Sequence, residues 1–196
     1  MAPLTHLLYL HGFRSSPQSA KARQFAAWVA RHTATLHWWC PQLPPSPAEA
    51  AQLIDEGTRH WSAERMAVVG SSLGGYYATW LAQRRGCRAV LLNPAVQPAH
   101  DLARHIGEQQ VWQAPEERFF FEPHFVQELQ ALQAGPLKHP ERMLAVIATG
   151  DEVLDWREMQ ARYAQAQLHI VQGSDHALSD FEAHLPVLTR FLGLGG

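Results

Sequence analysis

The chain has 196 residues, 46% of them hydrophobic and 17% charged, with a formal net charge of −2; this suits one domain with a sizeable core, is short for two, and excludes a disordered polymer. That balance supplies no strongly basic face for nucleic acid, and no stretch approaches the roughly 20 apolar residues that span a bilayer. The start, Met1-Ala2-Pro3-Leu4-Thr5-His6, lacks the basic opening and apolar run of a secretion signal, and Cys40 and Cys87 fit neither a metal nor a redox spacing, so the expectation is a cytoplasmic protein with free thiols.

The first apolar run, Leu7 to Leu10, reads as a strand and ends in His11-Gly12-Phe13-Arg14-Ser15-Ser16-Pro17. Ser16-Pro17 is a helix start, with Ser as cap and Pro in the first turn, for the pattern from Gln18 to His32. A second strand is expected over Thr35 to Trp39. Ser46-Pro47 then opens a helix from Ala48 to Trp61.

Met66 to Val69 is the third strand, and it runs straight into Gly70-Ser71-Ser72-Leu73-Gly74-Gly75 and a helical pattern to Arg84. Strand, sharp turn and helix form the context in which G-x-S-x-G acquires a mechanical meaning: the serine hydroxyl stands above the sheet edge on strained backbone. The positions two before and two after the serine must be small. Gly70 and Gly74 meet that condition around Ser72, whereas Val69 and Leu73 fail it around Ser71. Ser72 is therefore the candidate nucleophile, and the helix N-terminus beginning at Leu73 favours negative charge developing beside it.

Ala89 to Leu92 is the fourth strand. Fifty or so residues separate it from the next, far more than an ordinary connection. The stretch from Gln97 to Pro140 holds Trp112, Phe119-Phe120-Phe121 and an amphipathic run from Pro123 to Gln133. It reads as a cap-like insertion over the carboxyl edge of the strands, against the alternative of a helix pair that merely packs on the sheet. Met143 to Ala148 is the fifth strand and ends in Thr149-Gly150-Asp151-Glu152-Val153. A helix from Asp155 to Ala164 follows, with Asp155 as its cap. Leu168 to Val171 is the sixth strand and ends in Gln172-Gly173-Ser174-Asp175-His176, before a helix from Ser179 to Leu192 that Gly193 closes.

Short continuous apolar runs suit strands covered on both faces. Six of them alternating with helices predict a three-layer α/β fold around a mostly parallel sheet, in the order 2-1-3-4-5-6, as a single domain over 1–196.

A serine hydroxyl needs a base, and the base needs an orienting acid. Asp151 and His176 emerge at strand ends in the chain order Ser, acid, His. Asp175 is better suited to shaping its loop, Asn93 is an uncharged and poor orienter, and His169 and His184 are worse placed as bases. The His11-Gly12 pair marks the loop that supplies one oxyanion N–H, assigned to Phe13, while Leu73 supplies the second; His11 itself reads as a packing residue under the loop. Arg14 reads first as a solvated loop residue and second as a contact for an anionic part of a substrate, and Glu152 is a further substrate contact.

The segments Leu8 to Pro17, Cys40-Pro41-Gln42-Leu43, Gly70 to Ala78, Leu92-Asn93-Pro94-Ala95-Val96, Thr149 to Asp155 and Gly173-Ser174-Asp175-His176 together resemble the small esterases of the YqiA type in the α/β-hydrolase superfamily. The resemblance implies an α/β-hydrolase fold with esterase or thioesterase activity on short to medium acyl groups, acyl-CoA among them, and no cofactor. Amide or lactone cleavage on the same triad and a non-catalytic ligand-binding member of the fold stand as rival readings.

Overall fold

The computed structural model describes residues 2–194. Its elements are β1 (His6–Leu10), α1 (Ala20–His32), β2 (His37–Trp39), α2 (Pro47–Thr58), β3 (Met66–Ser71), α3 (Leu73–Arg85), β4 (Arg88–Leu92) and α4 (Pro98–Ala103), followed by β5 (Gly107–Val111), β6 (Ala114–Phe121), α5 (Phe125–Ala131), β7 (Met143–Ala148), α6 (Trp156–Arg162), β8 (Gln167–Val171) and α7 (Phe181–Leu192).

Six strands form one sheet in the order β2-β1-β3-β4-β7-β8, and every pairing within it is parallel. This is the predicted order. The cause is visible in the alternation of side chains: Leu8, Leu10, Val68, Leu91 and Ile147 enter one core with α2, α3 and α5, while Leu7, Tyr9, Val69, Val90 and Val146 enter another with α1 and α7. Because both faces are buried, every second residue that a one-sided sheet would expose must also be apolar. Each fully buried Leu, Val or Phe contributes roughly 1.5–3 kcal/mol of transfer free energy.

Several boundaries shift. Helix α1 starts at Ala20 rather than Gln18, because the Ser16 hydroxyl accepts from Gln18 N–H at 3.1 Å and holds a turn ahead of the helix. In α2 the reading of the cap holds, with Ser46 Oγ accepting from Glu49 N–H. Asp155 likewise caps α6 by accepting from Arg157 N–H. Helix α7 begins at Phe181, not Ser179, since Ser179 is held in the preceding loop by Asp175.

The insertion differs most from a helix pair. After the short α4 it folds into an antiparallel hairpin, β5 against β6, with Gly107 facing Phe121 and Gln109 facing Phe119, and only then into α5. Glu128 of α5 accepts from Ser46 Oγ at 2.7 Å and Ala48 N–H at 3.0 Å, which fastens this segment to the N-terminus of α2. The Phe119–Phe121 run is thus a strand whose alternate rings face inward: Phe121 is buried and Phe120 is exposed. Among the described residues no helix is long and apolar enough to cross a membrane.

Candidate active site

The carboxyl ends of β1, β3, β4, β7 and β8 converge on one crevice. At the end of β3 the chain turns through Ser72 at φ 55° and ψ −119° and enters α3. A non-glycine residue at positive φ is strained by ~1–3 kcal/mol and persists only where its surroundings enforce it. Two close approaches enforce this one. A Cβ on Gly70 would lie 2.1 Å from Gly74 O, and a Cβ on Gly74 would lie 2.0 Å from Leu10 O. The turn is therefore closed to any side chain at the two positions that the sequence reserves for glycine.

His176 reaches the serine from the loop after β8. Its Nε2 lies 3.0 Å from Ser72 Oγ, and its Nδ1 lies 2.8 Å from Asp151 Oδ2. The Asp151 side chain, at the end of β7, is completely buried, while that of His176 is 20% exposed. Asp151 Oδ1 accepts from Val153 and Leu154 N–H, each at 2.8 Å. One carboxylate oxygen is thereby held by backbone and the other is left to receive Nδ1–H, which selects the tautomer whose Nε2 can accept the serine proton.

Most of the supporting residues are ones that motif reading weighed for other roles; Lys21 alone it did not name. Asn93, fully buried at φ 41°, accepts from Ala148 N–H at 2.8 Å and donates to Asp175 O at 3.0 Å and His176 O at 3.2 Å. It is not an orienter of the ring; it ties the ends of β4, β7 and the histidine loop together. Glu152, expected to meet substrate, accepts from His176 N–H at 2.9 Å and also lines the crevice. Lys21 Nζ donates to Ala177 O in the same loop, and burial lowers the pKa of that amine to about 8. Gly150 is needed because a Cβ there would meet Ser174 O at 2.2 Å. Asp175 shapes its loop as expected, through Ser179 N–H and Oγ, and these bonds hold its pKa low. The His169 and His184 rings, 3.1 Å apart between β8 and α7, pair with each other rather than with the serine.

On the other side, His11 packs under its loop: Nε2 accepts from Leu43 N–H at 3.0 Å, and burial lowers its pKa. Gly12 abuts the serine closely enough that a Cβ there would stand 3.2 Å from Ser72 Cβ. Neither Phe13 N–H nor Leu73 N–H meets an acceptor among the described residues. Arg14 is not a freely solvated loop residue: it is half-buried at φ 59° and bound to the β5–β6 hairpin.

A cavity of about 430 Å³ opens in front of Ser72 and His176, walled by Phe13, Leu102, Trp112 and Leu154 among others. A second, of about 400 Å³, lies beyond the Phe13–Leu73 pair against Leu43, Tyr77 and Phe119. Among the described residues no cluster of three His, Cys, Asp or Glu side chains could hold a metal ion.

The fold is shared with solved structures at low sequence identity. Alpha/beta hydrolase domain-containing protein 10 from mouse aligns with a TM-score of 0.70 at 12% identity, over 94% of this chain and 87% of that one. A structure of the metagenome-derived lipolytic enzymes LipS and LipT aligns at 0.70 and 18% identity, over 96% and 93%. The monoacylglycerol lipase of Paleococcus ferrophilus aligns at 0.69 and 14% identity, over 97% and 95%. At the level of sequence, the family model described as uncharacterised protein family UPF0227 matches residues 6–193, so the chain belongs to that family.

Proposed function

We propose that this protein is a serine esterase that hydrolyses carboxylic esters or thioesters of short to medium acyl chains. The observation that carries the reading is the continuous chain from Ser72 Oγ through His176 to the buried Asp151, at 3.0 and 2.8 Å. A ligand-binding protein needs no such chain, and burying a carboxylate against an imidazole costs desolvation that binding alone would not require. Structural neighbours that are lipolytic enzymes and lipases agree with the reading.

In the first half-reaction Ser72 Oγ attacks the substrate carbonyl carbon while His176 Nε2 takes its proton. The Phe13 and Leu73 amides, both without another acceptor among the described residues, donate to the resulting oxyanion. Collapse breaks the bond to the leaving oxygen or sulfur, which takes the proton from His176. Water then attacks the acyl-enzyme, again through His176, and releases the carboxylic acid and Ser72. Asp151 orients the ring and stabilises it while charged. The hairpin tip and α4 serve as a cover that narrows the crevice, with Trp112 and Leu102 in its wall.

A fluorophosphonate probe should label Ser72 in the folded protein and fail on Ser72→Ala, with ester hydrolysis lost in parallel. Asp151→Asn should lower kcat by about 10⁴, the cost of the wrong tautomer in such triads. Absence of labelling at Ser72 would overturn the reading. A panel of esters and thioesters of graded chain length should favour short to medium acyl groups; a clear preference for long chains would overturn that part.

A further inference from the structure

The loop that carries the Phe13 amide is gripped by the hairpin from outside. Trp112 N–H, at the hairpin tip, donates to Arg14 O at 2.8 Å, and Arg14 Nε donates to Gln110 O at 3.0 Å. The Arg14 guanidinium lies 4.0 Å over the Trp112 ring. One residue back, the Phe13 ring packs edge-on against Phe119 and Phe121 of β6, with centroids 5.8 and 5.3 Å apart. Arg14 holds φ 59°, a left-handed conformation that is strained for a residue with a Cβ and that surrounding contacts must offset. Trp112 is 63% exposed, so its indole is not placed there by burial.

The geometry points to Arg14 and Trp112 as positioning residues that aim the Phe13 amide at the oxyanion by clasping its loop to the hairpin. This rests on the esterase reading of Ser72. The physical basis is the steepness of oxyanion stabilisation. A donor contributes only when it meets the developing charge at hydrogen-bond distance, and an error of about 1 Å in such a group costs ~10²-fold. Elsewhere the loop is held at its base by Leu43 N–H on His11 Nε2 at 3.0 Å and more weakly by Gln42 Nε2 on Ser15 O at 3.4 Å, and the bonds at Arg14 itself come from the hairpin. Two backbone-directed hydrogen bonds and a stacked cation replace the rigidity that a strand would provide.

Trp112→Ala removes the stacking face, Trp112→Phe restores an aromatic one, and Arg14→Lys keeps the charge but loses the Nε donor to Gln110 O. Steady-state kinetics on a short-chain aryl ester and hydrogen–deuterium exchange over residues 11–16 are measured on all three. For Trp112→Ala the expected result is a fall in kcat of about 10-fold or more with KM within about twofold, together with faster exchange of the loop. Trp112→Phe should recover most of both, and Arg14→Lys should fall between.

Unchanged exchange in Trp112→Ala overturns the clasp, as does a raised KM with kcat retained, which would mean that Trp112 acts only as the cavity wall it forms and not through the loop. Should Trp112→Ala fail to fold, Arg14→Lys decides on the same two readouts. A wild-type protein that neither hydrolyses esters nor takes the probe overturns the esterase reading instead, and loop exchange then still decides whether the hairpin holds the loop.

Discussion

Ser72, Arg14, Asn93, Ser174 and Leu178 all hold positive φ without being glycine, and all five lie in the loops that meet at Ser72. Such strain persists only where hydrogen bonds over-determine the backbone. At Asn93 they are its own: both ends of one amide join three strand ends, and asparagine tolerates positive φ better than most residues. Asn93→Ala should therefore leave ester binding near wild type while lowering kcat ~10-fold or more, because the histidine loop drifts from Ser72. Asn93→Asp keeps the acceptor for Ala148 N–H but sets a carboxylate against two carbonyls, so it should fall as far. Steady-state kinetics with the fluorophosphonate labelling rate checks both. Sequence reading could weigh Asn93 only as an acid substitute and dismissed it; its function depends on β7 and the histidine loop arriving beside it.

Among the elements, the contrast between the sheet and the insertion is instructive. The central strands β3, β4 and β7 are buried along their whole length and β1 along all but its first residue, while the edge strands β2 and β8 are partly exposed; the short apolar runs that such covering requires made the sheet legible. β5, Gly107–Val111, reads Gly-Glu-Gln-Gln-Val and is half solvated; its pairing partner, and not its composition, makes it a strand. Helices α1 and α7 cover the second face, where Phe181 meets Phe25 with centroids 6.2 Å apart and both are buried. Phe181→Ala should destabilise the fold by roughly 3–5 kcal/mol, since the rigid cover cannot close around the void. Urea unfolding should show a lower midpoint with an unchanged slope, and native-state activity should persist.

For the whole molecule, the strand order places β1 and β3 side by side, with the chain leaving them toward opposite ends of the sheet, and the crevice opens at that reversal. The same packing buries His11 and partly buries His169, and removing an imidazole from water disfavours its charged form. The pKa values of His11 and His169 are lowered from the ordinary 6.5, in both cases first by burial and for His169 also by His184. The folded protein thus binds fewer protons than the unfolded chain between the lowered values and 6.5. Stability is then full above about 6.5 and declines as pH falls below it. Urea midpoints measured from pH 8 to 5 should fall over the acid half of that range, and His169→Gln should flatten the decline.

The Ser72, His176 and Asp151 constellation was legible because its signals are local. Gly70 and Gly74 select Ser72 over Ser71 for steric reasons confined to one turn, and strand-end position brings Asp151 and His176 to the same edge once the sheet is parallel. Amino-acid order alone thus determined the layered α/β fold, the strand order and which residues meet at the crevice, since hydrophobic period and backbone sterics act within a few residues. Only the tertiary structure decided that Asn93 ties the loops, that Glu152 faces His176 N–H, and that Arg14 meets Trp112 across 98 positions of chain. Those contacts join groups distant in sequence, and no periodicity records which of them will be brought into contact.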